Sequence, residues 1–311
     1  MPTLRTHGLQ ISEDGDRPAR VALAADGQCA VAAFAYATRH RCPLILYIWD
    51  LPPWRLGTGR PDHIFATGGR LWKIPRLFNR YPERAGNYSR IGYVAQQATL
   101  VLAPSTTTVA DVRARLGVEA TQLPFCYDSG RFNGDATAAA PGGTAVLLSI
   151  SRLTQMKNHS VLLRAAARIP EPVAVRIIGR GVEADSLRQE AARLGVALRL
   201  DDGWASDEEI VAAYREASVV VCPSRFEGFG LTPMEGLAMR RPVVASDIAV
   251  HREFVGPKVR LFDPDDAEAL AHACREALAS PATTVADEPL PQLTIGACAD
   301  RIEAALRPFL A

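Results

Sequence analysis

Residues 146–200 read VLLSISRLTQMKNHSVLLRAAARIPEPVAVRIIGRGVEADSLRQEAARLGVALRL. The aliphatic and β-branched runs at 146–150, 173–178 and 196–200 lack strict alternation, which predicts strands buried on both faces. Between them, 160–169 and 183–194 have helical spacing, and Gly195 closes the second as a C-terminal cap. The pattern continues outward. Ser206 with Glu209 three residues on is a capping box opening a helix, and 219–222 is a further strand. A helix from Pro233, a strand at 243–245, a short helix near Arg252 and a last strand and helix over 259–279 complete the series. Buried strands separated by helices imply a parallel sheet covered on both faces, a doubly wound α/β domain. Ligands of such sheets bind at the carboxyl ends of the strands, here the loops after Ile150, Ile178, Leu200 and Cys222.

Working back, NGDATAAAPGG at 133–143 is rich in small residues and reads as a linker. Ahead of it, strands at 21–25, 44–48 and 100–103 and helices at 29–38 and 108–116 predict a second, smaller α/β domain. The expected organisation is a reduced N-terminal domain over 1–135, a C-terminal domain over 144–280, and a tail or helix over 281–311 packing back on the domains. A length of 311 residues, 48% of them hydrophobic, allows each half a core, and a net charge of +1 argues against general nucleic-acid binding. Basic residues are in excess before the linker and acidic ones after it, so different partners are expected at the two halves. No run approaches the roughly 20 apolar residues of a membrane-spanning helix, and the first residues carry no apolar secretion core, so a cytoplasmic location is the default. The six cysteines are widely spaced and read as reduced thiols.

The loop after Cys222 carries the most chemistry: PSRFEGFGLTPMEG over 223–236. Gly228 and Gly230 permit close backbone approach, and the free amides at the start of the following helix favour an anion. Thr232 suits the N-cap, with Pro233 first and Glu235 third in the helix. That T-x-x-E arrangement is a capping box, which gives Glu235 a purely structural reading beside a functional one. Glu227 has no such structural reading. The segment, from PS through EGFGLTPMEG to PVVASD, resembles the E-x7-E signature of the family 4 retaining glycosyltransferases, which have two Rossmann-like domains in the GT-B arrangement. The resemblance implies that Glu227 contacts hydroxyls of the donor sugar and Glu235 the nucleotide ribose. It further implies that the amides over Phe229, Gly230, Leu231 and Thr232 hold the diphosphate, with Gly228 beside them as a donor-binding residue.

The loop after Ile150 places Arg152 and Lys157 five residues apart at the same sheet edge, two cations able to neutralise a pyrophosphate. Solvated surface cations are the alternative reading of that pair taken alone. The pair also resembles the family's second signature, an Arg followed by a Lys-Gly or Lys-Asn step. Gly179-Arg180-Gly181 and Gly203-Trp204 also resemble family landmarks in loops that line the nucleotide base, which makes Arg180 and Trp204 candidates for that contact. The resemblance implies transfer with retention, no metal and no cofactor beyond a UDP- or GDP-sugar. Asp14-Gly15-Asp16 has the spacing of a metal-binding D-x-D, but precedes the first strand and reads as a solvated turn.

Against the family pattern the first half is expected to be a shortened N-terminal domain. Trp49 stands where the family often has a catalytic His, followed by Asp50. Asp50 either polarises an acceptor hydroxyl or turns the chain with Pro52 and Pro53; both readings stand. His63 and His251 are further candidate contacts, although a lone His is usually structural. Residues 69–90 interleave Arg and Lys with Trp72, Phe78 and Tyr81. They read either as a loop packing its aromatics inward or as a peripheral contact with the inner membrane face or a lipid-linked acceptor. The acceptor class stays open between small molecule, glycan and lipid. Two alternative functions stand beside transfer: a non-catalytic sugar-nucleotide-binding subunit needing a partner chain, and a GT-B-fold epimerase or phosphorylase.

Overall fold

The computed structural model describes residues 18–25, 29–51, 87–134, 143–279 and 290–310, which fall into two compact units. One comprises Met1–Cys126 with Gln292–Ala311, the other Tyr127–Pro291. The division therefore falls ahead of the small-residue run. Gly134 shows why: its N–H donates to Ala238 O at 3.2 Å, and a Cβ there would lie 2.4 Å from Met239 O. Asp14, Asp16, His63 and residues 69–86 lie outside the described residues. Among the described residues no helix is long and apolar enough to cross a membrane.

The first unit is a parallel sheet in the order β1 (Ala22–Ala24), β2 (Leu44–Tyr47), β3 (Leu100–Ala103), β4 (Thr121–Gln122). Its helices are α1 (Ala30–His40), α2 (Asn87–Gln97) and α3 (Thr106–Leu116). Their apolar faces bury Ala37, Ile91, Val94, Val112 and Leu116 against Leu44, Leu46 and Val101. Ser105 caps α3 by accepting from Thr108 N, and Gly117 ends it in the left-handed conformation. The C-terminal segment returns to this unit. Its helix α10 (Ile295–Leu306) buries Leu306 with Ile45, Leu102 and Leu123.

In the second unit the strands are β5 (Ala145–Ile150), β6 (Val173–Ile178), β7 (Ala197–Asp201), β8 (Val219–Cys222), β9 (Val243–Ser246) and β10 (Arg260–Phe262). They pair in parallel in the order β10-β9-β8-β5-β6-β7. The strands are apolar at almost every position because both faces are covered. Helices α4 (His159–Ala166), α5 (Ala184–Leu194) and α9 (Ala267–Ala279) bury one face, with Leu147, Val161, Leu162, Val175, Ile177, Leu187 and Leu270 in a single cluster. Helices α6 (Asp207–Glu216) and α7 (Leu231–Ala238) pack beside β5, β8 and β9, and the short α8 (Ala249–Phe254) follows β9. The expected capping box opens α6: Glu209 N donates to Ser206 Oγ, and Ser206 N to the Glu209 carboxylate. Two parallel sheets of this kind bear out the reading of two Rossmann-like domains.

Helix α7 lies unusually close to the sheet because Gly236 has no side chain. A Cβ there would meet Val243 Cγ2 at 3.0 Å and Val220 at 3.2 Å. Gly236→Ala is expected to cost about 1–3 kcal/mol as an overpacking change, read by urea unfolding; an unchanged unfolding midpoint would contradict the close packing.

Candidate functional site

Strands β5 and β8 are hydrogen-bonded neighbours, yet the chain beyond β5 builds outward through β6 and β7, and beyond β8 through β9 and β10. The sheet reverses its winding direction between them. Loops leaving two such strands diverge to opposite faces and open a crevice at the carboxyl edge.

The crevice is lined by the two loops singled out in the sequence, and the structure ties them together. Thr232 Oγ1 donates to Ile150 O at 3.0 Å, and Arg225 N donates to Met156 O at 2.8 Å. After β5, a 3-10 turn over Gln155–Lys157 carries the Lys157 side chain across to Glu227, with Nζ 2.5 Å from Oε1. Ser224 Oγ donates to the same oxygen at 2.7 Å. Among the described residues Glu227 Oε2 has no partner, and two of the three ammonium hydrogens of Lys157 are uncommitted. The pair thus neutralises itself while keeping an acceptor and a donor for something else.

Burial raises the Glu227 carboxyl, but the charge and hydrogen bond of Lys157, the Ser224 hydroxyl and the nearby His251 outweigh it and hold the group below the usual carboxylate range. Beneath the loop runs a supporting chain. His251 Nδ1 donates to Ser246 O at 2.8 Å, Ser246 Oγ donates to Ser224 O at 2.5 Å, and Ser224 holds Glu227. His251 is 1% exposed, and burial lowers its pKa against the opposing pull of Glu227. Its Nε2 would lie 3.2 Å from a Cβ at position 230, and Gly230 also has φ 83°, so glycine is required there on both counts.

The capping-box reading of Glu235 does not hold. Helix α7 begins at Leu231, Gly230 occupies the N-cap, and no side chain caps it. Thr232 spends its hydroxyl on Ile150 instead. Glu235 is turned inward, where its Oε2 accepts from Tyr214 Oη at 2.7 Å. Burial raises its pKa above the usual range, opposed by the Tyr214 hydrogen bond and the charge of Arg131.

The remaining candidates distribute as follows. Arg152 is exposed, with no side-chain partner among the described residues. Arg180 stacks its guanidinium 4.2 Å from the ring centroid of Trp204, which is 86% exposed, so the loops after β6 and β7 share one cation–π platform. Phe229 is buried against Phe254, ring centroids 4.5 Å apart, and so anchors the Gly-rich loop; Gly228 precedes it and Leu231 is 39% exposed. Asp50 is half-buried past the carboxyl end of β2, in the other unit, after the exposed Trp49. Tyr214, Ser224 and Ser246 escaped sequence reasoning. Only Ser224 had a local signal, its place three residues before Glu227.

Glu235 gives a sign to pH dependence. A carboxyl whose folded-state pKa is raised stabilises the fold below its unfolded value, and that contribution is lost as pH rises through the folded one. Glu235→Gln is therefore expected to be more stable than the parent chain at pH 7, with the difference closing towards pH 4, measured by urea unfolding. A less stable variant at pH 7 would show that Tyr214 and Arg131 more than compensate the buried charge.

The chain is similar to known proteins in sequence and in fold. Residues 134–288 match the family model described as glycosyl transferases group 1. The MMP alpha-(1->4)-mannosyltransferase of Mycolicibacterium hassiacum is 27% identical over 231 residues, 71% of this chain and 54% of that protein. A D-inositol 3-phosphate glycosyltransferase of Nocardiopsis dassonvillei is 34% identical over 44% of this chain and 36% of its own length. The lipopolysaccharide core biosynthesis mannosyltransferase LpcC of Rhizobium leguminosarum is 40% identical over 33% of this chain and 30% of its own. The chain thus spans about half or less of these curated relatives. Among solved structures, HepE of Anabaena, in complex with UDP and glucose, superposes with a TM-score of 0.71 at 20% identity, covering 93% of this chain and 78% of that one. The sucrose-phosphate synthase of Thermosynechococcus elongatus gives 0.66 at 21% identity, over 89% and 71%. These two likenesses establish the fold.

Proposed function

We propose, from the premise that residues 134–288 are a group 1 glycosyl transferase domain, that this chain moves a sugar from a nucleoside diphosphate sugar to an acceptor hydroxyl with retention of configuration. The observation that carries the proposal is the Lys157–Glu227 pair at the winding reversal between β5 and β8. An anion held by the amides from Gly228 to Thr232 lies beside the uncommitted ammonium hydrogens, while Glu227 Oε2 offers an acceptor to sugar hydroxyls. Arg152 adds a second cation for the diphosphate.

Breaking the bond between the anomeric carbon and the diphosphate oxygen concentrates negative charge on the leaving group. Donors already fixed at that place stabilise the charge without reorganising, which is where several kcal/mol of barrier lowering comes from, with no metal required. The acceptor oxygen forms the new bond to the anomeric carbon, and its proton passes to the departing diphosphate. Glu235, half-buried on α7 against Tyr214, is assigned to the ribose, and Arg180 with Trp204 to the base. A UDP- or GDP-sugar suits the site; the UDP and glucose of HepE and the mannosyltransferase names among the relatives support that class.

Assays of nucleoside diphosphate release from a panel of UDP- and GDP-sugars test the reading. Lys157→Ala and Glu227→Ala are each expected to lower kcat about 100-fold or more, as removal of a preorganised charge-stabilising group does elsewhere. Variants that turn over at the parent rate would remove the pair from the reaction.

A further inference from the structure

We infer that Asn158 is a positioning residue of the donor site, its side-chain amide clamping the loop after β5 to the loops after β8 and β10 so that Lys157 stays on Glu227. The inference rests on the reading of those loops as the donor site. Asn158 follows Lys157 directly and sits at the N-cap of α4, where an Asn side chain ordinarily accepts a bond from the first turn of its helix. Here it caps nothing. Instead Nδ2 donates to Pro223 O at 3.2 Å and to Pro264 O at 2.7 Å. Both hydrogens of one amide are used, and the residue is 3% exposed.

The backbone makes this possible. Asn158 has φ 55° and ψ 37°, a left-handed conformation that few residues other than Gly and Asn adopt without strain. That reversal ends the 3-10 turn directly after Lys157 and lets the amide reach the carbonyls of Pro223 and Pro264. Pro223 begins the segment that carries Ser224 and Glu227, and Pro264 lies in the loop after β10. One amide therefore fixes three loops in register. Lys157 is long and flexible, and Nζ reaches a single carboxylate oxygen only if its stem leaves from a fixed point; small misplacements at a reacting centre are costly in rate.

Asn158→Gly and Asn158→Asp separate the two features. Glycine keeps the left-handed backbone and loses the clamp, whereas aspartate keeps the shape but turns acceptors towards carbonyl oxygens. Amide hydrogen exchange of the free protein reads the loops directly, and calorimetry with UDP and GDP reads the site. In Asn158→Gly, exchange over 151–158 and 223–231 is expected to quicken while β5, β6 and β7 keep parent protection. Nucleotide binding weakens about tenfold, the scale of one or two lost hydrogen bonds, with KM rising and kcat falling together. Asn158→Asp shows the same pattern more strongly. Parent-like loop exchange in both variants overturns the clamp, as does an increase spread evenly through the strands. Faster loop exchange with unchanged nucleotide affinity overturns the positioning role. If the parent chain binds neither nucleotide while Asn158→Gly still loosens the loops, the donor reading fails and the clamp stands.

Discussion

The ion pair between Lys157 and Glu227 depends on little that is local to either residue. It requires β5 and β8 to be adjacent although 72 positions separate Leu147 from its partner Val219, and it requires their loops to diverge from the same edge. A lone carboxylate set this far from water would be costly, and so would a lone ammonium. Against that burial the Glu227 carboxyl is held below the usual carboxylate range first by Lys157 and then by Ser224, itself tied through Ser246 to His251. Geometry leaves the other oxygen open. The same constraint explains the glycines around it: positions 179 and 181 would drive a Cβ into the backbone of Ser151 and Leu153, at 1.8 and 2.1 Å, and position 230 into His251.

Glu235 shows the opposite economy. It is half-buried, its pKa is raised, and among the described residues its carboxylate has one hydrogen bond, from a fully buried tyrosine. A helix facing a sheet gains nothing in packing from a carboxylate that an apolar residue would not supply better. Such a group persists where its charge is used, and local destabilisation at a functional site is a common trade. Glu227 and Glu235 are thus held by different physics, one by a cation and one by a phenol, although they lie eight residues apart on one loop and helix.

Much of the fold was legible because period and burial agree in the sequence. The runs at 173–178, 219–222 and 100–103 emerge as strands with the expected bounds, and Ser206 with Glu209 forms the expected reciprocal cap. Local rules failed where a distant partner competes. Thr232 and Pro233 look like the start of a helix, yet the carbonyl of Ile150 takes the threonine hydroxyl, and Gly230 ends the loop two residues earlier than expected. Helix α2 was missed because NYSRIGYVAQQ is polar and carries a glycine, its helicity coming from the burial of Ile91, Val94 and Ala95. β4 is two exposed residues with no apolar pattern to read. The site was legible as far as Lys157, Glu227 and the Gly-rich loop. Tyr214 was not, because its link to Glu235 spans 21 residues and exists only once α6 and α7 share a face of the sheet.

The most direct test is a crystal structure of this chain grown with UDP or GDP. The diphosphate is expected at the carboxyl ends of β5 and β8, with its oxygens on the amides between Gly228 and Thr232 and within hydrogen-bond reach of Lys157, and the ribose against Glu235. A nucleotide seated at another edge of the sheet, with Lys157 and Glu227 still closed on one another and touching nothing, would contradict it.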